Sequence, residues 1–384
     1  MSNFILLESY GEKRDAKSWN KALDEAISGL PIQIIQSTSD EARGIINHVE
    51  QHLGAHHSPD IFHVQQDITR GTSAAMESKV RSAQQELDAL EEEIKNRALQ
   101  GHRSQRGRPS ALSEKPDDLV QHEAKAVKEK LALLQSQQLG IKEAKKSIAS
   151  AYHPYDLANG AERQTAQVQQ ELLQHFETIE LIASAVQLRQ SAMDKIKKAK
   201  RVCAGLAATL SFFWMMVQQF LESLTITPEL EQIIREILLP ASYLMLTAKK
   251  AKTAELKSQI RQRAEELLLK LQGNDLWSNI EPSEQERLKK AAKECAQFFQ
   301  RSSSCLEGRN GYLSLRHHGL HHLSTRKLGA LTVIHNYFIK RTDRSTAAER
   351  FFGQEHRNLF EHIMQKMPSI SRPALQTAAL RRAA

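Results

Sequence analysis

The sequence predicts an α/β fold interrupted by a large all-helical block, so that the chain is predominantly helical overall. Three observations predict it. Short apolar runs alternate with amphipathic segments through the first 70 residues, the pattern of strands alternating with helices. From about residue 65 the apolar residues recur at steps of three and four instead, the helical period. Aromatic residues make up only 5% of the 384 residues, which suits helices better than a sandwich or barrel.

The elements follow in order. Phe4 to Glu8 reads as a strand, and Ala16 to Ser28 as a helix with Trp19, Leu23 and Ile27 on one face. Pro31 to Ser37 (PIQIIQS) reads as a buried strand, Glu41 to Leu53 as a helix, and Asp60 to Val64 (DIFHV) as another short strand. Two heptad-like stripes come next: Val80, Ala83, Leu87, Leu90 and Ile94, then Val120, Ala124, Val127, Leu131 and Leu134. Between them GHRSQRGRPSALSEKPDD is rich in Gly, Ser, Pro and charge, so an exposed loop joins an antiparallel hairpin over 72–150. A third stripe runs from Val168 through Leu172, Ile179, Ile182, Val186 and Met193 to Ile196. Pro228 opens a further helix, Glu255 to Leu271 is amphipathic, and Asp275 to Pro282 is a turn region. The expected division is therefore 1–69 as the first part of an α/β core, 70–295 as a helical insertion, and 296–384 as a basic helical part that returns to complete the core.

The composition excludes several classes. Charged residues at 26% and apolar residues at 40% describe a folding chain. Cys203, Cys295 and Cys305 make no CxxC pair and no disulfide framework, which argues for a reducing cytoplasm and against a cysteine zinc site. No basic leader or cleavage site follows Met1, so no signal peptide is read. Val202 to Leu221 carries no charge and is long enough to cross a bilayer. Thr209, Ser211, Gln218 and Gln219 lower its hydropathy, and a buried core helix is the favoured reading over a membrane span. The net charge of +8 is uneven: residues 301–357 hold ten Lys/Arg against four Asp/Glu, together with six histidines. A local cationic patch points to a polyanion surface.

Candidate chemistry centres on acids. Asp40 follows the strand PIQIIQS, at the rim where α/β proteins build sites. It reads equally as the cap of the following helix. Glu307 lies in the most basic part of the chain; Ser304-Cys-Leu-Glu307 fits a capping box, while Arg309, Asn310 and Arg316 beside it suit a metal ligand near a phosphate track. Asp60 and His63, three apart on a strand, fall on opposite faces and make poor joint ligands. His317, His318, His321 and His322 are read as DNA-facing or packing residues.

Two islands carry a resemblance. STSDEARGIINHVEQHLGAHHSPDIFHVQ and RSSSCLEGRNGYLSLRHHGLHHLSTRKLGALTVIHNYFIKRTDRSTAAERFFG resemble bacterial insertion-sequence transposases of the DDE class, and FILLESYGEKRDAKSWNKAL looks like the strand and Trp-bearing helix of that class. The resemblance implies an RNase H-like catalytic core with an all-helical insertion. It implies Asp40 as the second and Glu307 as the third catalytic, metal-binding acid, with Asp60, His63 and Asn310 nearby. It also implies two Mg²⁺ ions and double-stranded DNA as partner, contacted by Arg301, Arg309, Arg316, Arg326 and Lys327. A homo-oligomer, a cytoplasmic location at the nucleoid and no membrane are expected with it. The class places its first acid on the first strand, whereas FILLE resembles the second, so that acid is expected upstream of Met1; Glu8 is the nearest acid and is misplaced for the role. The expected function is DNA strand cleavage and transfer by a truncated copy. The alternatives are a non-catalytic DNA-binding remnant and, last, a membrane-anchored coiled-coil protein.

Overall fold

In the computed structural model the described residues are 2–10, 13, 15–101, 116–319 and 323–367; the side chains of 100, 101, 304, 305 and 307 are outside that description. The chain divides into two compact units. One comprises Ile35–Ala42 and Leu53–Ser303, the other Met1–Ile34, Arg43–His52 and Ser304–Ala384. The strands therefore group with the helical block, and the chain changes unit after Ser303, where the sequence suggested 295.

The first unit holds one sheet of two parallel strands, β1 (Gln36–Ser39) and β2 (His56–Pro59), with Gln36 opposite His56 and Ser39 opposite Pro59. It is the only sheet among the described residues. The expected RNase H-like α/β core is thus corrected: its multistranded sheet is not there, and the architecture is helical around a two-stranded ribbon. Two sequence strands fail for identifiable reasons. Asp60 to Val64 opens the 41-residue helix Ile61–Gly101 instead. Ile61, Val64 and Ile68 share a helical face and are buried together, and Asp60 accepts a hydrogen bond from Phe62 N (2.8 Å) as the cap. Of PIQIIQS only Gln36 and Ser37 lie in the ladder, which runs on to Ser39, and Ile35 O accepts from His56 N (2.9 Å) at its start.

Helix Ile61–Gly101 turns back as Asp117–Ala151. Their two stripes meet in one cluster of Ala83, Leu87, Ala124, Val127 and Leu131, flanked by Val80, Leu90, Ile94 and Leu134. The joining loop lies outside the described residues. Helices Thr165–Ala185, Gln190–Arg201, Cys203–Glu222, Leu239–Lys250 and Pro282–Ala296 build the main core. Cys203–Glu222 is the uncharged run. By length and composition the stretch Gln190–Glu222 could cross a membrane. Leu206, Leu210, Phe213, Val217 and Leu221 nevertheless form a buried face in the core cluster. Gly205 lets that helix lie on β2, since a Cβ there would meet Pro59 Cγ at 2.8 Å.

In the second unit Asp15 caps helix Ala16–Ile27, which packs on Arg43–Asn47 and the wide turn His48–His52. His48 Nδ1 lies 2.6 Å from Asn20 Oδ1. The C-terminal helices are Ser304–Gly319, Thr325–Tyr337, Ala347–Phe352 and Leu359–Lys366. The expected strand Phe4–Glu8 carries no strand assignment and pairs with no strand among the described residues. A side-chain amide takes the neighbour's place: Ile5 N donates to Asn336 Oδ1 and Asn336 Nδ2 donates to Ile5 O, each at 2.9 Å. Asn336 is correspondingly buried.

Candidate functional site at the strand ends

The parallel pairing decides where the acids stand. Ser39 is opposite Pro59, and Asp60 N donates to Ser39 O (3.1 Å). Asp40 and Asp60 are thus the next residues along two adjacent parallel strands, at one carboxyl edge. Their surroundings differ completely. Asp60 is 1% exposed. Its Oδ1 accepts from Phe62 N, and its Oδ2 accepts from Ser303 N (2.9 Å) and from the Ser303 hydroxyl. Because Ile61 begins a helix, the spacing of three that would separate Asp60 and His63 on a strand now sets them on one side, with His63 Nε2 4.0 Å from Oδ2. Asp60 ties the start of the helical block to its end, and both carboxylate oxygens are engaged in doing so. Asp40 is exposed.

A residue that the sequence reading left unassigned organises the segment around Asp40. His57, on β2, has its Nε2 2.8 Å from Ser39 Oγ and its Nδ1 3.5 Å from Glu41 Oε1. The buried His57 imidazole thus hydrogen-bonds to Ser39 before Asp40 and lies near the Glu41 carboxylate after it. Glu41 has φ +62°, a conformation uncommon for a side-chain-bearing residue and held here by its surroundings. The sequence offers only the doublet His56-His57 here, which no motif spacing marks as a site. His56 also has a partner: it stacks on Phe212 at 4.5 Å and lies 3.2 Å from Thr209 Oγ1. Burial and the neighbouring His57 push its pKa down.

Glu307 lies within helix Ser304–Gly319; its side chain, and hence the expected Ser304–Glu307 capping box, lies outside the described residues. Among the described residues no group of three or more His, Cys, Asp or Glu side chains is placed to hold a metal ion. Asp60 offers its oxygens to N–H and O–H donors rather than to a cation, while of the two acids expected to hold Mg²⁺ Asp40 is exposed and the Glu307 side chain lies outside the described residues.

The expected DNA contacts separate into two kinds. Arg301 is a structural residue: Nη2 donates to Ala149 O (2.6 Å), the guanidinium lies 5.9 Å from the Tyr152 ring centroid, and burial lowers its pKa from the ordinary value. Arg309 is clamped by Glu8, Nε to Oε1 and Nη2 to Oε2 at 2.7 Å each, with both side chains nearly enclosed. Burial disfavours the Glu8 carboxylate, but hydrogen bonds from Arg309 and Thr332 and the Arg309 charge outweigh it, so its pKa falls below the usual range. Asn310, Arg316, Arg326 and Lys327 are exposed. Tyr312 lies between two guanidinium groups, Arg309 at 5.6 Å and Arg316 at 5.2 Å from its ring centroid. Arg326 and Lys327 occupy the first turn of helix Thr325–Tyr337, capped by Ser324.

Residues 234–379, less than half of the chain, match the model of a family described as a family of unknown function (DUF6399). No curated protein and no solved structure matches the chain.

Proposed function

We propose that this chain is a transposase-derived protein that binds double-stranded DNA through its phosphates. The observation that carries the reading is the placement of Arg326 and Lys327, both exposed, in the first turn of a 13-residue helix. Cations there oppose the helix dipole, so the fold gains nothing from them locally. An incoming phosphate, by contrast, meets two positive side chains and the positive end of the helix dipole together. The half-exposed Tyr312 with Arg316 beside it adds a flat cationic surface of the kind that lies along nucleic acid. The local excess of charge in 301–357 and the resemblance of both islands to DDE transposases support the same partner.

The test is binding of a labelled duplex, followed by fluorescence anisotropy between 50 and 200 mM salt. Each phosphate contact contributes about 0.9 to the slope of log K against log [salt]. Arg326→Gln with Lys327→Gln should flatten that slope by roughly 2 if both make a contact. An intact chain that fails to bind duplex DNA at micromolar concentration sinks the proposal.

A second reading, strand cleavage, is favoured by Asp40, which stands exposed at the end of a parallel strand, next to Ser39, whose hydroxyl is hydrogen-bonded to His57. Nicking of a supercoiled plasmid in Mg²⁺ buffer, abolished by Asp40→Ala and by Glu307→Ala without loss of DNA binding, would establish it. An intact chain that leaves the plasmid supercoiled excludes it.

A further inference from the structure

The first unit carries a second concentration of positive charge, outside the 301–357 segment. Between Lys249 and Arg261 there are five Lys/Arg and one acid, Glu255. Lys249, Lys252 and Arg261 are exposed and Lys257 is half-buried. None of these four makes an ion pair with a described residue. Cations elsewhere in the unit do: Arg97 with Glu93 and Asp117, Lys198 with Asp67, Lys200 with Glu180, Arg235 with Glu231. Local helix electrostatics account for part of the cluster only. Lys249 lies in the last turn of helix Leu239–Lys250, where a cation compensates the dipole. Lys252 and Lys257 flank the N-terminus of Ala254–Leu269, where a cation is disfavoured.

Lys257 and Arg261 stand one turn apart, about 6 Å along the axis, and with Ser258, Gln262 and Glu265 they line a shallow open depression. The opposite face of the same helix, Ile260, Ala264 and Leu267, is buried against helix Leu239–Lys250. The outward face is thus cationic and hydrogen-bonding, without the apolar stripe that a membrane-surface helix inserts. Ser and Gln beside Lys and Arg form the donor set that proteins use on nucleic-acid phosphates.

We infer that the elbow between helices Leu239–Lys250 and Ala254–Leu269 is a second phosphate-backbone surface, contacted by nucleic acid through Lys252, Lys257 and Arg261. The inference rests on the DNA-binding reading above and extends it to the helical block. The test uses the full chain with Lys252→Gln, Lys257→Gln and Arg261→Gln combined, and a charge-keeping control, Lys252→Arg, Lys257→Arg and Arg261→Lys. On a labelled duplex of about 40 base pairs, the Gln variant should lose at least tenfold in affinity at 100 mM salt and flatten the salt slope by roughly 2.7, and the control should bind as the unaltered chain does. A Gln variant that binds with unchanged affinity and slope, while Arg326→Gln with Lys327→Gln still weakens binding, overturns this surface alone. An unaltered chain that ignores DNA overturns both readings. Vesicles of anionic phosphatidylserine form the last arm: tighter binding to them than to duplex, lost in the Gln variant, would assign the elbow to membrane and overturn the inference.

Discussion

Replacing Asp60 by Ala tests the assignment on which the site description turns. The carboxylate is 1% exposed and accepts from Phe62 N, Ser303 N and the Ser303 hydroxyl. Its removal deletes a helix cap, worth about 1 kcal/mol. It also strands the Ser303 amide where little water can replace the lost acceptor; a hydrogen bond to a charged group contributes about 1.5–3 kcal/mol. With the low end taken for each bond, the expected loss is about 4 kcal/mol, a large part of the stability of an ordinary domain. Ile61 N still donates to Arg301 O (3.1 Å), so the junction is weakened rather than opened entirely. Asp60→Asn should cost about half as much: its remaining oxygen still accepts from Phe62 N, while its NH₂ faces the Ser303 amide and can be satisfied only by rotation of the hydroxyl. The assay is urea unfolding followed by far-ultraviolet circular dichroism, with amide exchange at Phe62 and Ser303 to localise the effect. At a slope of about 3 kcal/mol/M the Ala variant should unfold more than 1 M earlier. A loss below about 1 kcal/mol would refute the reasoning and return Asp60 to the candidate ligands.

Three further outcomes follow from the same geometry. Glu8→Gln should cost about 1–2 kcal/mol at pH 7 by breaking the bidentate bond from Arg309; since the folded carboxyl titrates below its usual 4.5, the unaltered pair is fully stabilising above that pH and lost as pH falls through the lowered value, which thermal melts from pH 7 to 3 resolve. His153 is buried against Tyr243 and held well below 6.5 by burial first and by Arg301 and Arg163 next, so it stays neutral in the fold while the unfolded chain takes up a proton; stability should fall as pH drops below about 6.5, at up to about 1.4 kcal/mol per unit, and His153→Gln should flatten that dependence. Leu131→Ala, in the thin hairpin cluster, should cost about 2–3 kcal/mol and raise amide exchange over 80–94 and 120–134 without altering the main core.

The helical block was legible because burial on a helix repeats at three and four regardless of what lies across from it. Val168, Leu172, Ile179 and Ile196 are all fully buried, and the two hairpin stripes share one cluster. The uncharged run 202–221 was legible as a core helix through its polar residues; one of them, Thr209, is fully buried and donates to Gly205 O. Strands were not legible to the same degree. A strand exists only where another pairs with it, and the partner's length is not written in the run itself. Phe4 to Glu8 has the composition of a strand and, across from it, an asparagine. DIFHV has the composition of a strand and a capping aspartate that makes it a helix start. The Glu8–Arg309 clamp joins residues that are 301 apart, and no local pattern announces it. The 249–261 cations escaped notice because the surplus was sought in the His-rich segment.

Asp40 and Asp60 show how little residue type says about role when pairing is unknown. Both follow a strand, both precede a helix, and they are neighbours across a parallel ladder. Chain connectivity separates them. After β2 the chain enters the helical block at once, and the block's last residue, Ser303, comes back to the same point, so the acid there is drawn into closing the unit. After β1 the chain changes unit within three residues, between Ala42 and Arg43. His57 instead hydrogen-bonds to Ser39 and lies near Glu41, and the Asp40 side chain between them is exposed. A strand-end acid that closes an insertion is a structural residue by topology. One that stands exposed beside a change of unit is the one to which a functional role can attach, and that contrast ranks Asp40 above Asp60 as the residue to alter first in any test of strand cleavage.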